Sequence, residues 1–354
     1  MQEPTPEQFG HLQSLAELTA PGGPIDADAP TATHRQAKDS AQAVVARRMV
    51  QRRILKEFFA ENTEVVRDRQ VVVMAGPPGA GKSSARRQRI SSEDEKHWRF
   101  IDPDEFKTRL LRHARESGEY EALIPDEVRR RMDAGEVFAP GEFAALVHEE
   151  SSALARQAVD EALTRGERVL IDGVNGSARK LGERVKQLAA AGYTSIEMIC
   201  VDGPREVTRA RVLARWAKGY DRYLADPESD VAAYQARYVP QAITDGLYEG
   251  DARFSVCTEA VATVVKAAPE GVSVQADVYY LATEDSAGHL WQSFRKDETG
   301  CAVAKHLVLP APKACQEAAV PVVSSGEGEV HVSGYQRADG TWVHPHTRGR
   351  PHTG

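Results

Sequence analysis

The sequence predicts an α/β fold, a parallel sheet with helices on both faces, carrying a helical insertion and a C-terminal extension. Three observations predict it. The apolar run Val71-Val72-Val73-Met74-Ala75 passes directly into Gly76-Pro77-Pro78-Gly79-Ala80-Gly81-Lys82-Ser83, which joins a buried strand to a glycine-rich loop and a helix start. Further strand candidates at Trp98–Ile101, Arg168–Ile171 and Ser195–Val201 are each followed by helical pattern, the alternation of a parallel sheet. Two helical runs, Pro125–Ala134 and Gly141–Arg165, stand between the first two of those candidates as an insertion.

The elements follow in order. A short first helix gives way at residues 19–33 to a loop rich in proline, glycine and alanine. From about Gln36 to Glu64, Val45, Met49, Val50, Ile54, Phe58 and Phe59 recur at helical spacing, so a long amphipathic helix leads into the first strand. Its arginines, Arg47, Arg48, Arg52 and Arg53, interleave with core positions and read as a solvated face. After the strands named above, helical patterns at Pro204–Gly219 and Glu228–Leu247 complete the core, with a last strand around Phe254–Cys257. Val272–Thr283 alternates like a strand, Leu309 to about Glu329 reads as a linker, and Ala338-Asp339-Gly340 between short apolar runs signals a hairpin. The expected division is an N-terminal helix and loop over 1–34, a main domain over 35–268 and an extension over 269–354.

Composition narrows the function classes. The chain has 354 residues and a net charge of −7, which argues against nucleic-acid binding through global charge. No apolar stretch approaches the roughly 20 residues that span a bilayer, and Met1-Gln2-Glu3-Pro4-Thr5-Pro6 lacks the basic-then-apolar order of a secretory signal, so a cytoplasmic location is expected. Cys200, Cys257, Cys301 and Cys315 are widely separated, which favours reduced packing residues over a zinc ribbon or a disulfide framework.

The loop carries the chemistry. Glycine tolerates left-handed backbone, so Gly76, Pro77, Pro78, Gly79, Ala80 and Gly81 can turn several N–H groups onto one phosphate, aided by the positive end of the helix beginning near Lys82. Lys82 then reaches the β- and γ-phosphates, the Ser83 hydroxyl ligates Mg2+, and Ser84 continues the first helical turn. The fold class is accordingly P-loop NTPase or kinase-like, with ATP and Mg2+ as the expected cofactors.

Phosphoryl transfer also needs a group to orient the acceptor hydroxyl and positive charge to meet the transferred group. The second strand ends in Ile101-Asp102-Pro103-Asp104, at the sheet edge that faces the ligand crevice. Asp102 suits a helix cap because Pro103 would open the helix, which leaves Asp104 as the catalytic base. The third strand ends in Asp172-Gly173-Val174-Asn175, and Asp172 is a candidate magnesium ligand, with a loop cap as the alternative. Arg209, Arg211, Arg215 and Arg222 crowd one helix and its exit, and arginine's fork suits phosphate oxygens. His148, Glu149 and Glu150 read as substrate contacts or a solvated face, and His344, His346 and His352 have no ligand pattern around them.

Together the helix-led P-loop, Ile101-Asp102-Pro103-Asp104-Glu105-Phe106, the helical insertion, the acidic-glycine turn and the arginines after the fourth strand resemble the zeta toxin family over about residues 40–260. The resemblance implies a P-loop kinase of a toxin–antitoxin system that phosphorylates the 3′-hydroxyl of the amino sugar in UDP-N-acetylglucosamine, with an antitoxin protein as partner. It places the family's Walker lysine on Lys82, its catalytic aspartate on Asp104 and its phosphate-contacting arginines on Arg215 and Arg222. The chain departs from the family at Asp172-Gly173-Val174, where Glu-Gly-Thr is common, and at Leu110–Arg115. Other expectations remain open: a kinase for another nucleotide, nucleoside or polynucleotide end, or a non-catalytic nucleotide-dependent binding module.

Overall fold

The computed structural model describes residues 5–36, 40–249, 253–283, 288–296 and 302–306, with short strands between 329 and 349. The N-terminal part is helical: α1 (Pro6–Leu18) is capped by Thr5, α2 (Thr33–Gln36) is short, and α3 (Ala41–Ala60) is capped by Ser40. Strand β1 (Val71–Ala75) is buried along its whole length and leads through the glycine loop into α4 (Lys82–Arg89). Strand β2 (Arg99–Ile101) runs into α5 (Pro103–Ser117), followed by α6 (Tyr120–Leu123), α7 (Asp126–Asp133), a 3-10 segment Pro140–Val147 and α8 (His148–Thr164). Then come β3 (Val169–Ile171), α9 (Ala178–Ala190), β4 (Ser195–Asp202) and α10 (Arg205–Ala225). The short helices α11 (Asp230–Ala233) and α12 (Gln241–Asp245) precede α13 (Val256–Lys266) and the strands β5 (Ser273–Tyr280), β6 (His289–Lys296) and β7 (Ala302–His306).

The sheet order is β2-β3-β1-β4-β5-β6-β7, parallel through β5 and antiparallel at β6 and β7. Because side chains alternate across a strand, β1 feeds two cores. Val71, Val73 and Ala75 join Ile101, Ile171 and the helices α5, α8 and α13, while Val72 and Met74 pack with Leu170, Ile199 and Ala85. Burial on both faces explains why the parallel strands are near-continuous apolar runs.

Three expectations change. The strand read at Phe254–Cys257 is the start of α13, since Ser255 caps that helix by accepting from Cys257 N at 3.3 Å. The helix read over Glu228–Leu247 divides into α11 and α12, and Pro240, which lacks an N–H, stands just before the second. Past residue 268 the chain continues the main sheet, because β5 pairs with β4 from Ser195↔Ser273 to Asp202↔Tyr280. That compact unit reaches Val308.

Residues 309–354 form a second unit, in which β8 (Glu329–Val332) pairs antiparallel with β11 (His346–Gly349) and β9 (Tyr335–Gln336) with β10 (Trp342–Val343). The β9 and β10 strands flank Ala338-Asp339-Gly340 as a hairpin requires, while the turn residues and the linker over 309–328 lie outside the described residues. Among the described residues no helix is long and apolar enough to cross a membrane.

Candidate phosphoryl-transfer site

The glycine loop is seated by contacts that exclude side chains. Gly76 has φ +134°, and a Cβ there would stand 2.1 Å from Val201 O; Gly79 has φ +82°, and its Cβ would stand 2.2 Å from Thr208 O. Only glycine allows β1 to turn this tightly against the end of β4 and the first turn of α10. Gly81 caps α4 without a side-chain hydrogen bond, which leaves the first N–H groups of the helix open toward the loop. Ser83 and Ser84 are exposed on that first turn.

Lys82 Nζ donates to Gly76 O at 2.9 Å and to Pro77 O at 3.3 Å, so the ammonium spans the loop. The Arg211 guanidinium lies over Gly81, where an added Cβ would be 3.5 Å from Nη1, and Nη1 is buried without a hydrogen-bond partner. A buried unpaired guanidinium nitrogen is costly, and a phosphate oxygen would satisfy it. Loop, lysine and arginine thus fit a polyphosphate chain.

Three carboxylates close the other side. Asp102 is the N-cap of α5 and accepts from Asp104 N at 2.8 Å, as the sequence predicts. Asp104, in the first turn, holds Lys107 Nζ at 2.9 Å through Oδ1 and Arg237 Nη1 at 3.0 Å through Oδ2. Asp172 follows β3 and accepts from Gly173 N at 2.7 Å. The β2–β3 register, Ile101↔Ile171, sets Asp102 and Asp172 side by side, with Asp172 N donating to Ile101 O at 2.9 Å.

Crowding separates their acidities. Burial pushes the Asp102 carboxyl up, the charges of Asp104 and Asp172 add to it, and its pKa reaches about 7. Burial also raises Asp104, but Lys107 and Arg237, then Arg215, outweigh it and hold the carboxyl well below the usual carboxylate range. Asp172 is raised, chiefly by burial, with the charge of Lys82 opposing and that of Asp104 adding. Asp172 therefore stands within electrostatic reach of both the loop lysine and Asp104.

Arg215 sits on α10 and its charge reaches Asp104 and Asp102. Arg222 lies on the exposed outer part of the same helix, where Nη1 donates to Gln235 Oε1 at 2.6 Å. Both border a cavity of about 390 Å³ shared with Lys218, Tyr234 and Arg237. Arg209 turns aside to an ion pair with Asp245. The sequence reading missed Lys107 and Arg237. Lys107 was signalled by its i+3 spacing from Asp104, whereas nothing local marks Arg237, which arrives from the segment between α11 and α12.

A second cavity, of about 670 Å³, opens beside Asp172 between α8 and α9, with Ile171 and Asn175 at its base and Arg156, Arg179 and Arg184 on its walls. Asn175 is fixed there in left-handed backbone at φ +51° by donating from Nδ2 to Met74 O at 2.7 Å. Among the described residues no group of three or more His, Cys, Asp or Glu side chains could hold a metal ion.

The Zeta toxin family model matches residues 57–280. No curated protein matches the chain. Among solved structures, it is similar to one from the PezAT chromosomal toxin–antitoxin system of Streptococcus pneumoniae, at 11% identity and a TM-score of 0.41, covering 68% of this chain and 78% of that one. It is also similar to the AvrRxo1-ORF1:ORF2 complex in its native form, at 16% identity, a TM-score of 0.46 and coverage of 73% and 70%. The same complex with ATP gives 15% identity, a TM-score of 0.42 and coverage of 79% and 75%. Likeness at this level says nothing of activity, and membership rests on the family model, which spans more than half of the chain. With its strand, phosphate loop and arginine helix inside that span, the chain belongs to the zeta toxin family and is a P-loop kinase-type phosphotransferase.

Proposed function

We propose that the protein transfers the terminal phosphoryl group of ATP to a hydroxyl of a small anionic acceptor, UDP-N-acetylglucosamine or a related nucleotide. The observation that carries this reading is the placement of Asp104, an ionised carboxylate among Lys107, Arg237 and Arg215, with Asp172 linking it electrostatically to Lys82.

In such a transfer the transition state is loose, so catalysis is mostly positioning and charge stabilisation. Lys82, the open N–H groups of α4 and the unpartnered Nη1 of Arg211 bind the donor phosphates. Arg215 meets charge developing on the transferred group, and Arg222 extends the same basic face outward. Asp104 is a weak base but a strong acceptor, which suits it to orient the hydroxyl and take its proton late. When bound at Ser83 and Asp172, Mg2+ would neutralise charge between the β- and γ-phosphates. The larger cavity supports an anionic acceptor through Arg156, Lys180 and Arg184, since its fourth basic residue, Arg179, is paired with the lining Glu183. Val174 stands where the family commonly has a hydroxyl, so the acceptor is held here by other groups. Membership of the family further suggests an antitoxin chain as partner and slowed growth when the protein is expressed alone in bacteria.

The test is mass spectrometry of products after incubation with Mg2+-ATP and a panel of nucleotide sugars, nucleotides, nucleosides and oligonucleotide ends. A phosphorylated nucleotide sugar, absent with Lys82→Ala and Asp104→Asn, supports the reading. Label on a different class would reassign the acceptor, and no product with any would leave a nucleotide-dependent binding module.

A further inference from the structure

Away from the phosphate loop, the first helix of the chain carries a buried titratable cluster that the chemistry above does not use. His11 of α1 is 6% exposed, and both of its ring nitrogens face carboxylates. Nδ1 is 2.7 Å from Glu136 Oε1, and Nε2 is 3.1 Å from each oxygen of Glu142, a residue 2% exposed. Glu142 accepts also from Trp216 Nε1 at 2.8 Å and from Ala139 N at 2.9 Å. The imidazole stacks on Tyr220 at 4.7 Å and meets Phe138 edge-on at 4.9 Å. Trp216 and Tyr220 belong to α10, the helix that brings Arg211 and Arg215 to the site, and Trp216 directly follows Arg215.

We propose that His11 is a positioning residue: as an imidazolium gripped by Glu136 and Glu142, it fixes α1 against α10 and so holds the arginine-bearing face of α10 over the phosphate loop.

The geometry requires one proton beyond the ring's single N–H, and because the two oxygens of Glu142 already accept from Ala139 N and Trp216 Nε1, that proton is placed on the imidazole. A neutral imidazole has one N–H, so one of its two nitrogens would set a lone pair against a carboxylate oxygen. Burial works against the charge, but the bonds and charges of Glu142 and then Glu136 outweigh it, and the His11 pKa is raised. Burial raises the Glu142 carboxyl as well, so the cluster keeps its proton.

The remaining groups facing the cluster do not reverse this. From α1, Gln8 Nε2 donates to Asp221 Oδ1 of α10 at 2.5 Å. Arg131 of α7 pairs with Glu17 and Glu127 and acts on Glu136 only through space. Tyr120, Tyr220 and Tyr223, whose phenols feel the charge of Glu142, are raised by burial and stay neutral. A group whose folded pKa is raised contributes stability that is complete below its unfolded pKa and lost as pH rises through the folded value. The clamp therefore holds below the raised His11 pKa and slackens as pH climbs through it.

The experiment uses the full chain. The His11 ring is titrated by NMR, and amide exchange of α1 and α10, corrected for intrinsic rates, is followed over the same pH range. The expected wild-type result is one transition above pH 6.5 shared by the ring and α1 protection. Glu136→Gln, which removes a half-exposed charge, should move both transitions down by about one pH unit. His11→Gln should lower α1 protection about tenfold and make it independent of pH, while Lys82→Ala leaves it unchanged.

Only the last arm rests on the kinase reading. His11→Gln should reduce kcat for ADP release from Mg2+-ATP about tenfold with KM for ATP within about twofold. A ring that titrates at or below pH 6.5, α1 protection flat with pH in the wild type, or unchanged kcat with α1 released would overturn the proposal. Absence of turnover in the wild type would count against the kinase reading and leave the exchange result to decide the clamp.

Discussion

Arg237 Nη1 lies 3.0 Å from Asp104 Oδ2, although one residue opens α5 and the other sits between the two short helices α11 and α12, more than a hundred residues later. The same guanidinium donates from Nη2 to Thr108 Oγ1 at 2.9 Å, so it is braced against α5 and holds the carboxylate at a fixed angle. Arg237→Met should leave Asp104 with Lys107 as its ion-pair partner and Arg215 acting only through space, raise its pKa and loosen its orientation. We expect a loss of about 10- to 100-fold in kcat, measured by phosphorylated product, from removal of a charge-assisted bond worth roughly 1.5–3 kcal/mol. A kcat within twofold of the wild type would remove Arg237 from the site.

Asp104→Asn should keep the fold and the affinity for ATP while lowering kcat by about 10²- to 10⁴-fold, the range for loss of a general base. Calorimetric ATP titration of the variant, beside its turnover, separates the two effects. Equal losses of binding and rate would mean that the carboxylate supports the loop rather than the acceptor.

Asp102 gives a stability prediction with a definite sign. Its folded pKa of about 7 is above that of the unfolded chain, so its contribution is complete in acid and is lost as pH rises from about 4 to 7. Asparagine can still cap α5 but carries no charge beside Asp104 and Asp172. Asp102→Asn should therefore raise the melting temperature by about 2–4 °C at pH 8, as for a gain of roughly 1 kcal/mol, and by much less at pH 4. A variant destabilised at both pH values would show that the carboxylate itself is needed for the cap.

Gly79→Ala tests the loop. The new Cβ would stand 2.2 Å from Thr208 O in backbone at φ +82°, so the loop must shift away from α10. ATP affinity should fall at least about tenfold, while far-UV circular dichroism stays native. Undiminished affinity would mean that the loop as seen does not bind the phosphates.

What was legible in the sequence was local. The β1 strand, the glycine loop, the Asp102 cap and the first turn holding Asp104 all lie within a few residues of the chemistry that defines them, and each is found as read. Arg237 was not legible, because its partner depends on how the chain folds back after α10. The end of the sheet was misjudged for a similar reason: the alternation in β5 announces a strand but not which strand it pairs with, and β4 turned out to be its neighbour. The sequence around Phe254–Cys257 carries Val256 and Cys257, apolar enough for a strand, and the cap at Ser255 decides for a helix.

The position of β1 has a consequence for how the protein is made. Its hydrogen-bonded neighbours are β3 and β4, and the glycine loop rests on Val201 and Thr208. A nascent chain that has passed the ribosome only as far as α8 carries the complete loop sequence with nothing beneath it. Synthesis must proceed into α10 before nucleotide can be gripped, so the growing polypeptide stays inactive until well over half of it has been translated.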